Sequence, residues 1–171
     1  MAENLKTSKY RDGTPIPNVT GTSQWGNLTT GAWSHYENSS ANETVYGKLY
    51  NWYAVADSRN ICPVGWHVPT DAEWTVLSNH LGSEPGHKMK ATSGWTNNGN
   101  GSNASGFNGL PGGSRVDDGT FSNVGRSGLF WSSSKNFSVS AWSRVLLNDY
   151  RFLDRNLNDE RDGFSVRCLR D

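Results

Sequence analysis

GWHVPTDAEWTVLSNHLG, residues 65–82, is the stretch on which the reading of the fold turns. Thr70, with Glu73 three residues on, makes a capping box, in which each side chain takes an orphan backbone N–H beside the other residue. Trp74, Leu77, Ser78 and Leu81 then fall on one face of a helical period, and Gly82 stops the run. The spacing predicts a helix over 71–81, led in by a short extended segment at VGWHVP. Asp71 and Glu73 in its first turn read as capping and dipole partners rather than as a catalytic carboxylate pair. His67 reads as a structural ring rather than a base.

Working outward, Tyr46, Leu49, Tyr50, Tyr53 and Val55 are spaced as a short amphipathic helix over 46–57. Residues 1–45 are polar, with turn signals at Asp12-Gly13, Pro15 and Pro17, and read as extended structure and loops. Gly, Ser and Asn dominate 82–128, where regularly spaced Trp95, Phe107 and Phe121 predict an ordered loop region. LFWSSS (129–134), SAWSRVLL (140–147) and GFSVRCLR (163–170) predict strands. No repeat period is present.

A chain of 171 residues suits a single domain, 1–171, with a real core. Only 34% of it is hydrophobic, yet it holds 8 Trp, 6 Tyr and 6 Phe, so a few large rings must do much of the burying. Its net charge of +0 leaves no electrostatic footprint for nucleic acid or an anionic membrane. No apolar run is long enough to insert in a bilayer. The N-terminal MAENLKTSKYRDG lacks the apolar region of a signal peptide, so an exported protein would be a mature or trimmed form. Two cysteines, Cys62 and Cys168, allow either one long-range disulfide or two buried thiols, and are too few for a four-cysteine zinc site.

Chemistry-bearing motifs are absent. There is no nucleophile elbow, phosphate-binding glycine loop or HEXXH zinc motif, and the four histidines lack metal spacing. Asp117-Asp118-Gly119 reads as a β-turn or, less simply, as a calcium cradle. Six N-x-S/T sequons match what an Asn- and Ser-rich chain contains by chance. No cofactor, no metal and no enzymatic activity are expected.

AENLKTSKYRDGTPIP, YGKLYNWYAV, CPVGWHVPTDAEWTVL, SGFNGLPGG and GFSVRCLRD together resemble the Fibrobacter succinogenes major paralogous domain family, over essentially the whole chain. These are exported bacterial domains, which implies an extracellular or cell-surface location. In the family a short strand and a Trp usually precede AENLK; with Met1 in that place, the domain is expected to lack its first strand. The family is similar to the C-type lectin fold and to the formylglycine-generating enzymes: HVPTDAEW (67–74) looks like their helix start and GFSVRCL (163–169) like their terminal strand. The resemblance implies an α+β, C-type lectin-like fold, with two helices flanking a small twisted antiparallel sheet and extensive irregular loops. The enzyme's paired active-site cysteines are not matched, and neither is the calcium-dependent sugar motif of the lectins, so neither activity follows.

Between the Ser-rich strand and GFSVRCLRD, family members are typically filled with Asn and Ser. This chain keeps Ala141, Trp142, Arg144, Leu146, Arg155, Asn156 and Asn158. It departs at Ser143, Val145, Leu147, Asn148, Asp149, Tyr150, Arg151, Phe152, Leu153, Asp154, Leu157, Asp159, Glu160, Arg161 and Asp162. Val, Leu, Asp, Tyr, Arg, Phe and Ser are all reachable from the Asn codon AAC by changing only its adenines. The pattern resembles the variable proteins of diversity-generating retroelements, with residues 143–162 as the variable, ligand-binding segment. The expectation is a non-catalytic, probably monomeric-free-standing scaffold is not required by this pattern; what it implies is a monomer that binds a protein or a surface glycan through a face near 135–162. Its contact residues are expected to be Trp142, Arg144, Asn148, Tyr150, Arg151, Phe152, Arg155, Asn158, Asp159 and Arg161, with rigid rings and guanidinium groups as anchors. A generic surface-binding domain without diversification is the alternative, and a formylglycine-type enzyme the remote one.

Overall fold

The computed structural model describes residues 1–137 and 139–171. The capping box forms as its spacing predicts: Glu73 N–H donates to Thr70 Oγ1 at 3.2 Å, and Thr70 N–H donates to Glu73 Oε2 at 2.8 Å. In chain order the helices are α1 Thr22–Gly26, α2 Glu43–Tyr46, α3 Trp52–Val55, α4 Asp71–Leu81 and α5 Pro85–Met89. The strands are β1 Trp33–Ser34, β2 Leu49–Tyr50, β3 Trp66–His67, β4 Gly112–Arg115, β5 Phe121–Val124, β6 Ser127–Lys135, β7 Ser140–Leu147, β8 Asp154–Asp159 and β9 Leu169–Arg170. The architecture is mixed α+β with few helices. Among the described residues α4 alone is longer than five residues, so the expected pair of flanking helices reduces to one helix and several single turns.

Three expectations need correction. The helix over 46–57 is broken into α2, β2 and α3. Gly47 takes φ 74°, Tyr50 exchanges both backbone hydrogen bonds with Phe164, and Asn51 caps a new turn by accepting from Ala54 N–H. Tertiary pairing of Tyr50 outweighs the helical spacing, because the same apolar positions serve a buried strand equally well. The strand over 163–170 is a series of single bridges: Gly163 to Arg115, Phe164 to Tyr50 and Ser165 to Phe130, before β9 pairs with β3. The segment crosses between sheets, and each residue finds a different partner. Finally, the loop region 82–128 contains α5, β4 and β5 as well as its aromatic anchors.

The main sheet has the order β5-β4-β6-β7-β8, with β4 parallel to β6 and the other pairs antiparallel. Successive side chains of β6 point to opposite faces and split the core in two. Trp131 packs on one side with Tyr50, Phe164, Val166 and the Cys62–Cys168 disulfide. Phe130 packs on the other with Trp74 of α4, Met89, Trp95 and Leu146. The bridge joins residues 106 apart in sequence, so neither sulfur is a free thiol. Buried indoles find polar partners as well: Trp131 Nε1 donates to Tyr50 O at 2.8 Å and Trp52 Nε1 to Ser132 O at 2.9 Å. No helix is long and apolar enough to cross a membrane, among the described residues.

Candidate ligand-binding face

The segment before GFSVRCLRD folds as the β7–β8 hairpin, and β8 is the outer strand of the sheet. The register sets Trp142 opposite Leu157 and Arg144 opposite Arg155, so these four share the face that looks toward α4. Arg144 is only 2% exposed. Its guanidinium donates to Asp71 Oδ1 at 2.6 Å, Asp71 O at 2.9 Å and Thr75 Oγ1 at 3.1 Å. Arg155 reaches the same carboxylate, donating from Nη2 to Oδ2 at 2.9 Å, and lies 3.3 Å over the Trp142 ring. Burial pushes the Asp71 carboxyl up, but the hydrogen bonds from Arg155 and Arg144 outweigh it and hold the group below its ordinary value. Asp71 therefore does more than cap α4: it fixes the hairpin to the helix. Arg144, expected as a ligand contact, is corrected to a buried support, because its donors are already spent inside the protein.

At the hairpin's turn, Tyr150 is 42% and Phe152 50% exposed, with ring centroids 5.3 Å apart. Arg151, between them, is exposed and makes a two-pronged pair with Glu84, including Nη2 to Oε2 at 2.7 Å. Asn148 donates to Thr96 from its side chain. Beneath the turn, Lys90 is 2% exposed, and its ammonium donates to the carbonyls of Leu147 at 2.8 Å, Tyr150 at 3.0 Å and Asn148 at 3.4 Å. Burial, then the nearby Arg151 charge, lowers the Lys90 pKa. His87 N–H donates to Arg151 O at 2.9 Å. A Cβ on Gly86 would collide with the Phe152 backbone, and one on Gly99 with Asn148.

The remaining expected residues lie elsewhere on the hairpin. Asn158 accepts from Ser143 Oγ at 2.7 Å, on the opposite sheet face from Trp142. Asp159 and Arg161 pair with each other at the far end of β8, where Arg161 also reaches Asp117 at 3.2 Å. The expected contacts thus form three groups rather than one: the aromatic turn, the Trp142–Arg155 stack and the Asp159–Arg161 pair. Leu157, 44% exposed beside Trp142, belongs to the face and was missing from the expected contacts. The supports Lys90 and Glu84 carried no sequence signal, since a lysine or glutamate in a polar loop reads as solvated surface.

The variable segment also narrows. Ser143, Val145, Glu160 and Asp162 depart from the family pattern but are buried, so they are not surface filler. The exposed and half-exposed departures run from 147 to 161. Ser138, inside the broader 135–162 face, lies outside the described residues. Asp117-Asp118-Gly119 forms the turn between β4 and β5, with Asp118 Oδ1 accepting from Thr120 N–H at 2.8 Å. Among the described residues no cluster of three or more His, Cys, Asp or Glu is placed to hold a metal. His67 lies between Asp171, at 2.6 Å, and Glu73, at 2.9 Å; those two hydrogen bonds raise its pKa and tie the C-terminus to the capping box.

A family model described as the Fibrobacter succinogenes major domain matches residues 1–170. No curated protein and no solved structure matches the chain.

Proposed function

The chain belongs to the Fibrobacter succinogenes major domain family, and we propose that it is a non-catalytic ligand-binding domain whose recognition face is the β7–β8 turn with the outer strand beside it. One observation carries the reading. Tyr150 and Phe152 stand exposed and adjacent, while Trp25, Trp33, Trp52, Trp74, Trp95 and Trp131 are all buried. A chain that hides its other large rings and shows these two presents the rigid, low-entropy anchors typical of interfaces. The proposed partner is a protein or a surface glycan. An extracellular or cell-surface setting suits the disulfide, which persists in oxidising compartments.

The finer reading is a C-type lectin-like fold whose face is diversified by a retroelement. Its support is that departures from the family's Asn-rich pattern include the exposed turn residues Asp149, Tyr150, Arg151 and Phe152. The gene's DNA neighbourhood tests it. A reverse transcriptase gene and an adenine-rich copy of these codons, mismatched only at adenines, are expected; a missing copy, or mismatches at other bases, overturns diversification. The face itself is tested on a glycan array and a panel of immobilised cell-surface proteins. Tyr150→Ser/Phe152→Ser should abolish any signal that the parent chain gives, and a signal that survives places binding elsewhere. For an enzyme of the formylglycine-generating kind, a reactive thiol is needed, whereas here the two sulfurs bond each other. Thiol titration of the native protein should find none.

A further inference from the structure

We propose that Lys90 is the positioning residue of the binding turn, and that the turn's backbone path is set from outside and is independent of its own side chains. The inference rests on the reading of this turn as the recognition face. Every close support contacts main chain. The Lys90 ammonium takes three carbonyl oxygens, those of Leu147, Asn148 and Tyr150. The His87 N–H takes a fourth, Arg151 O. Gly86 lets the scaffold approach the Phe152 backbone, and Gly99 does the same at Asn148; a Cβ at Gly86 would come within 2.0 Å of Phe152 O.

The side chains, by contrast, point away from these supports. Asp149, Tyr150, Arg151 and Phe152 are all exposed. The Arg151–Glu84 pair is itself half in solvent, and exposed pairs of this kind contribute little. A carbonyl is present whatever residue is written at a position, so an ammonium that reads only carbonyls holds any sequence in the same path. The Lys90 charge is what makes one group sufficient: its three protons meet three acceptors, and charge-assisted bonds are the strong ones. The lysine stem is held in turn by the Trp95 ring, with Nζ 5.3 Å from its centroid.

Amide hydrogen exchange tests this without a ligand. The readout is the His87 amide, which reports the Arg151 carbonyl it is bonded to, against the Phe164 and Trp131 amides of the core. In Tyr150→Ser/Arg151→Ser/Phe152→Ser, the His87 rate should stay within about threefold of the parent. In Lys90→Met it should rise at least tenfold while the core amides change far less. A His87 rate that rises as much in the triple variant shows that the turn is held by its own side chains and overturns the proposal. So does a Lys90→Met chain with unchanged His87 exchange. A Lys90→Met chain that fails to fold, or loses core protection equally, makes the lysine a general structural residue and overturns it too. None of these outcomes depends on the gene's neighbourhood or on the binding panel, so this idea and the functional reading fail separately.

Discussion

Replacing Asp71 by Asn should remove about 2–4 kcal/mol of stability. The carboxylate is the common acceptor for Arg144, at 2.6 Å, and Arg155, at 2.9 Å. Removing one partner of a buried pair typically costs about 3–5 kcal/mol, because the other charge is left uncompensated. Two facts pull this down. Asp71 is partly open, and Arg144 keeps the Asp71 carbonyl and Thr75 Oγ1 as acceptors. Arg155 is well exposed, so its arm adds at most about 1 kcal/mol, and the lost charge at the first turn of α4 adds about 0.3–1 kcal/mol. Urea unfolding at neutral pH measures the total, and a fall in melting temperature of roughly 4–16 °C should accompany it at this chain size. Arg144→Met, combined with Asp71→Asn in a double-mutant cycle, isolates the pair: the double variant should be clearly more stable than the sum of the singles implies. An Asp71→Asn chain within 0.5 kcal/mol of the parent, or strict additivity in the cycle, refutes the account of Asp71 as the tie between helix and hairpin.

Three further outcomes are expected. Replacing both Cys62 and Cys168 by Ala should cost roughly 4–5 kcal/mol from the entropy of so long a closed loop; unchanged urea midpoints contradict this. Tyr150→Ser and Phe152→Ser should each shift stability by no more than about 0.5 kcal/mol, and a larger loss shows that the rings support the fold rather than face a partner. Burial, then the charges of Asp117 and Asp159, push the Asp162 carboxyl up to about 7. Between roughly pH 4 and that value, the folded chain keeps a proton that the unfolded chain has lost, so stability falls as pH rises across the window. Asp162→Asn should match the parent near pH 4 and exceed it at pH 8, by on the order of 1–4 kcal/mol; parallel stability curves for the two chains over that range contradict the burial argument.

Local rules read parts of this chain well. The capping box at Thr70 and Glu73, the stop at Gly82 and strands over most of β6 and β7 were legible, because each depends on residues within one or two turns of chain. Tyr46 to Val55 misled, since their spacing fits a helix face and only the distant Phe164 draws Tyr50 into a strand. β8 went unseen because Asp154–Asp159 alternates weakly and owes its form to β7. The site was half legible. Tyr150, Arg151 and Phe152 stood out as departures from a family pattern, and the structure sets them side by side in one exposed turn. Arg144 and Lys90 did not declare themselves, since a cation in a sequence implies solvent. Here their stems are buried, and their heads meet a carboxylate and three carbonyls supplied by segments far away.

The way the last nine residues are used has a consequence for synthesis. Gly163, Phe164, Ser165 and Val166 bond in turn to Arg115, Tyr50, Leu129 and Leu5, and Cys168 then closes the bridge to Cys62. Both halves of the core therefore wait for the end of the chain, and the domain can assemble only after the ribosome has finished it. A chain terminated anywhere in the hairpin turn or in β8 lacks every one of these closures and has no route to the native state. Folding thus acts as a proofreading step on length: whatever the turn's side chains are, a molecule that displays them has been translated to its final residues.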